Sequence, residues 1–188
     1  MSIPFRSTDG DDNHAAAFLR VIRDDTGGYD GALFVMNSIG EPVEFVYSRI
    51  ETPSTVLWRR QDLRRRAGKE LAAALFAAAT SRPLIIFAKG DEVPPGFFVA
   101  DIETPVATCR VAEKMASVAT SPDEHGEDED TLGLHLLWSS GSPQDESPER
   151  ALVKKLLSRG LLWEPFERAE VGLREARGED VSGNGAVH

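Results

Sequence analysis

The sequence predicts an α/β (α+β) domain built on a mixed or mostly antiparallel sheet, with one long helix packed on a face. Three observations carry this. Two β-branched and aromatic runs, "ALFVMN" and "VEFVYSRI", are separated by the turn "SIGEP". A helical pattern follows in "RRQDLRRRAGKELAAALFAAAT". Two further apolar runs, "LIIFA" and "FFVADI", come after that helix. The resulting β-β-α-β-β order suits a sheet covered by a helix.

The chain opens on a polar, Asp-rich segment, and residues 1–14 are expected to form a disordered tail. "AAAFLRVIR" places Phe18, Arg20 and Ile22 on one side and Leu19, Val21 and Arg23 on the other if it is a strand; a short helix fits the pattern as well. "DDTGGYDG" reads as a turn. In the hairpin, "ALFVMN" is apolar on both faces, which predicts a strand inside the sheet and covered on both sides. Val43, Phe45 and Tyr47 share a face of the second strand.

"ETPSTVLW" reads as a loop. The long helix takes its apolar face from Leu63, Ala67, Leu71, Ala74, Leu75 and Ala78. Residues 104–120 fit either a strand or a strand followed by a short helix. "SPDEHGEDED" repels itself and has nothing to bury, so residues 121–131 are expected to be a disordered acidic linker. "LGLHLLW" returns to strand. Ser147 and Pro148 cap the helix "SPERALVKKLLSRG", Gly160 closes it, and "WEPFERAEVGLREA" gives a helix with an apolar stripe of Phe166, Ala169 and Leu173. The organisation expected is a tail (1–14), a core domain (15–120), the linker (121–131), a C-terminal strand and helices packing on the core (132–176), and a disordered tail (177–188).

The formal net charge of −10 opposes nonspecific attachment to nucleic acid or an anionic membrane. Cys109 is the single cysteine, so an internal disulfide and a cysteine-rich metal site are excluded, and a cytoplasmic setting is expected. "MSIPFRSTDGDDNH" lacks the basic start and apolar core of a secretory signal. No run is long and apolar enough to span a bilayer.

Two groups of residues invite a functional reading. Asp101 and Glu103 end the run "FFVADIE"; on a strand they point the same way and could share a divalent cation with a phosphate. "VADIET" resembles the first motif of the DEDD exonucleases, an apolar strand ending in Asp-x-Glu, over about six residues. That resemblance implies two later acidic motifs on an ordered body, one with a nearby His or Tyr. Here the later candidates, Asp123, Glu127 and Asp130 with His125, fall in the acidic linker. Glu44 and Asp91 are further candidates for a metal-dependent nuclease or phosphodiesterase.

The second group is basic. Arg59, Arg60, Arg64, Arg65, Arg66 and Lys69 crowd the first turns of the long helix, where the helix end is already electropositive and an acidic residue would be favoured. Arginines there suit an anion or an acidic surface. Trp163 and Phe166 lie in the apolar segment "GLLWEPFER", which reads as a docking element, either for a partner or for the sheet. No histidine pair has zinc spacing, no serine lies in a Gly-x-Ser-x-Gly turn, and "DTGGYDG" lacks the Lys-Ser/Thr of a phosphate loop.

With no catalytic set assembled in the sequence, the function expected is a non-catalytic accessory subunit without cofactor, rather than an enzyme. It would dock on a protein partner, with a nucleic-acid-processing complex as one setting, and nucleic acid would be reached only through the arginine cluster. The alternative is the metal-dependent nuclease using Asp101 and Glu103.

Overall fold

A computed structural model describes residues 2–4, 14–24, 27–51, 58–102 and 104–178. Residues 52–57 of the expected loop, Glu103 and most of both expected tails fall outside these. The described chain folds as β1 (Ser2–Pro4), β2 (Ala15–Arg23), β3 (Tyr29–Asn37), β4 (Pro42–Ile50), α1 (Arg60–Ala78), β5 (Ile85–Lys89), β6 (Ala107–Glu113), β7 (His125–Glu129), β8 (Leu134–Trp138), α2 (Pro148–Ser158) and α3 (Glu164–Ala176). A mixed sheet runs in the order β1-β4-β3-β2-β5-β6-β8-β7. β5 is parallel to both β2 and β6, and the other pairings are antiparallel.

The period of two explains both faces of the sheet. Ala17, Leu19 and Val21 of β2, Leu33 and Val35 of β3 and Ile86 and Ala88 of β5 face α1, which seats Ala67, Leu71, Ala72 and Leu75 on them. Phe18, Phe34, Phe87, Val111 and Trp138 point the other way and meet Leu152, Val153 and Leu156 of α2 and Phe166, Ala169 and Leu173 of α3. The central strands are apolar on both sides because helices cover both sides. On α1 the stripe is narrower than the sequence suggests: Ala74 and Ala78 are exposed, and Ala72 is buried instead.

Several expectations need correction. "FFVADI" is a π-helical turn, Phe97–Asp101, and not a strand. Phe97 and Phe98 are both buried, and adjacent side chains of a strand would point to opposite faces. Gly96, at φ 68°, turns the chain into it, and Gly68 of α1 makes room for the Phe97 ring; a Cβ on Gly68 would lie 3.2 Å from it. The acidic segment is no disordered linker: His125–Glu129 pairs with β8 as an edge strand. Two of its carboxylates are held by cations, Glu127 by Arg150 at 2.7 Å and Asp128 by Lys114 at 3.2 Å, and Asp128 also hydrogen-bonds His135 at 2.6 Å. The N-terminal segment contributes the short strand β1, paired with β4. Residues 104–120 give a strand and turns, without the helix.

Candidate site at the carboxyl ends of the parallel strands

β2, β4 and β5 share one direction, so their carboxyl ends lie at one end of the sheet. Such an end, where neighbouring parallel strands finish, is where open α/β sheets place ligands. α1 follows β4 and starts there. It runs back to the opposite end, where its last residues meet Glu44: that carboxylate accepts from Thr80 N at 2.9 Å and Ser81 N at 2.8 Å. Glu44 is therefore a buried structural acceptor, at the far end from this site.

The arginine-rich start of α1 is thus delivered to the strand ends. Arg64 Nε donates to the Glu92 carbonyl at 3.0 Å, which ties the helix to the loop after β5. Arg59 is the N-cap residue and supplies no side-chain cap. Trp58, 43% exposed, lies under the Arg66 guanidinium with Cζ 5.5 Å from the ring centre. A pocket of about 200 Å³ opens between Arg23, Tyr29, Trp58 and Arg60. Among the described residues no carboxylate lies within ion-pair distance of Arg23, Arg59 or Arg60, whereas Arg65 holds Asp101 and Arg66 holds Glu70, each at 2.8 Å.

Beneath this surface sits a charge network that the sequence did not single out. Arg20 is 4% exposed, on the side of β2 that carries Phe18. Its Nη2 lies 2.6 Å from Glu92 Oε1 and 3.2 Å from Glu170 Oε2, and its Nη1 donates to the Phe166 carbonyl at 2.6 Å. Glu92 also accepts from Val21 N at 3.0 Å. Pairing of β2 with β5 stops at Leu19 and Ala88, so the next inward N–H has no strand partner and a side chain takes it. Burial pushes the Glu92 carboxyl above its ordinary range, against the pull of the Arg20 and Val21 hydrogen bonds. Burial acts on Glu170 the same way, but Arg20 and Arg174 outweigh it and hold that carboxyl below its usual range. One sequence signal pointed here: an arginine among apolar residues on a covered strand face must find buried partners.

The other candidates fall elsewhere. Asp101 is bound by Arg65 Nε at 2.8 Å, and Asp91 is exposed near Lys89. Among the described residues no three His, Cys, Asp or Glu side chains are gathered to hold a metal ion. Phe166 is 1% exposed and edge-on to Phe18, and the half-buried Trp163 packs on Phe166 with Lys89 Nζ 5.1 Å from its ring centre. "GLLWEPFER" therefore packs on its own sheet, with Phe166 buried and Trp163 partly buried against it.

No family model and no curated protein matches the chain in sequence. In structure it is similar to endonuclease V from Streptomyces avermitilis, with TM-score 0.57 and 15% identity over 87% of this chain and 82% of that one. It is also similar to the catalytic domain of human endonuclease V, with TM-score 0.53 and 14% identity over 89% and 85% of the two chains. The shared fold is one that nucleases carry. This overturns the expectation of a non-catalytic accessory subunit that works mainly through a protein partner.

Proposed function

We propose that this chain acts on nucleic acid and that its reaction class is phosphodiester cleavage. The observation that carries the reading is the placement of the α1 arginines at the carboxyl ends of β2 and β5, in a fold similar to that of endonuclease V chains. The chain's own contribution begins with binding: Arg23, Arg59 and Arg60 are exposed cations with no carboxylate partner among the described residues, suited to backbone phosphates. Trp58 beside them has an exposed ring for a base. A groove of about 620 Å³ between α3 and β3–β4 is less suited to a polyanion, since Glu164, Glu167 and Glu175 are among its lining residues.

Nucleases of the two-metal kind activate water with divalent ions held by clustered carboxylates. Among the described residues, no three His, Cys, Asp or Glu side chains at these strand ends are gathered to hold such an ion. Asp101 is tied to Arg65, and the two carboxylates that do converge, Glu92 and Glu170, converge on the Arg20 guanidinium.

The reading is tested with labelled single-stranded DNA, duplex DNA and RNA, each incubated with the protein in magnesium, manganese or chelator and resolved on denaturing gels. Shortened products that are lost in the Arg59→Glu/Arg60→Glu variant are expected. Neither retention nor cleavage of any of the three polymers would overturn it.

A further inference from the structure

The Arg20 network has the shape of an ion site whose ion is a side chain. Three oxygens from two segments converge on one guanidinium: Glu92 Oε1 from the loop after β5 at 2.6 Å, and from α3 the Phe166 carbonyl at 2.6 Å and Glu170 Oε2 at 3.2 Å. The arginine approaches from β2, at the centre of the sheet, and is 4% exposed. Two carboxylates and a carbonyl are the hard oxygen donors that magnesium, manganese or calcium would recruit. A divalent ion there would lie against a fixed positive charge in a water-poor setting, where like charges repel strongly.

We infer that Arg20 is the resident cation of this centre, holding Glu92 and Glu170 in place of a divalent metal. The guanidinium supplies one positive charge and up to five directed N–H bonds, so it orients its oxygens without exchanging with solvent. The centre is a fixed, internally charge-paired floor under the strand ends. It draws the loop after β5 onto β2 and, through the Glu92 carbonyl, onto Arg64 of α1. The phosphate-facing surface above is thereby positioned without a metal.

This goes beyond the assignment to nucleic acid, and its test uses no nucleic acid, so the two can fail separately. Manganese binding to the full chain is followed by electron paramagnetic resonance of the free ion. The wild-type protein is expected to take up no stoichiometric manganese at micromolar concentrations. Arg20→Gln frees the oxygens and is expected to gain one ion per chain, a gain lost again in Arg20→Gln/Glu92→Gln. One tightly held ion in the wild type that disappears in Glu92→Gln would overturn the inference, as would a folded Arg20→Gln protein that gains none. If Arg20→Gln does not fold, the wild-type titration against Glu92→Gln still decides.

Discussion

Arg110 and Glu124 form an ion pair at 2.8 Å in which neither side chain reaches solvent, with side-chain exposures of 1% and 0%. The same guanidinium donates to the carbonyls of Gly90 at 2.9 Å and Ala119 at 3.2 Å, and Glu124 accepts from the backbone of Gly96 and Ser121. β6, the loop after β5 and the loop before β7 therefore meet on one buried pair. A buried pair adds little over a well-packed apolar replacement, but breaking it leaves an uncompensated charge. Glu124→Gln is expected to lose about 3–5 kcal/mol in denaturant unfolding, and Arg110→Met/Glu124→Leu distinctly less than either single change. Equal losses for single and double variants would contradict this account.

Glu44 closes the far end of α1. Its carboxylate, itself 1% exposed, satisfies the amides of Thr80 and Ser81 just past the helix. Glu44→Ala should cost roughly 1–3 kcal/mol for the orphaned donors, measured by urea denaturation. Early amide exchange confined to the end of α1 would localise the loss.

Two glycines mark close approaches between layers. A Cβ on Gly172 of α3 would stand 2.8 Å from the Phe45 ring, and one on Gly31 of β3 would stand 3.0 Å from Leu75 of α1. Overpacking of this kind costs about 1–3 kcal/mol. Gly172→Ala and Gly31→Ala should each lower the melting temperature, although alanine is the better helix former at position 172. A rise at Gly172→Ala would mean that α3 can shift off the sheet freely.

Acid should weaken the β7 edge. The hydrogen bond from Arg150, chiefly, holds the Glu127 carboxyl below its usual range. A carboxyl whose pKa is depressed by folding stabilises the protein above its unfolded value, and that contribution fades as pH falls through the lower folded value. Stability measured from neutral to acidic pH should therefore fall less steeply in Glu127→Gln than in the wild type. Parallel curves would remove Glu127 from the linkage.

Nucleic-acid binding, read by anisotropy, should weaken similarly for unrelated base sequences in Arg59→Glu and Arg60→Glu. The slope of log affinity against log salt should shrink by about one for each phosphate contact removed. Arg168→Glu, on α3 beside Gly40, should leave it unchanged.

Local pattern was enough to place most of the elements. The alternation of Phe18 and Ile22 with Leu19 and Val21, the Leu63–Leu71–Leu75 stripe, and Ser147 before Pro148 each express a period or a cap within a few residues. The arginine cluster was legible as well, because its misfit with the helix end is a local fact. Tertiary structure alone decided which strands pair, that five residues of an acidic decapeptide become an edge strand against β8 with Arg150 of α2 and Lys114 paired to it, and that two adjacent phenylalanines turn helically to be buried together. It also made the Arg20 network, whose carboxylates lie 72 and 150 residues further along the chain. Periodicity records which way a side chain points; only the folded chain sets which distant charge it meets, because the cost of burying an ion is relieved by partners in space and not by neighbours in sequence.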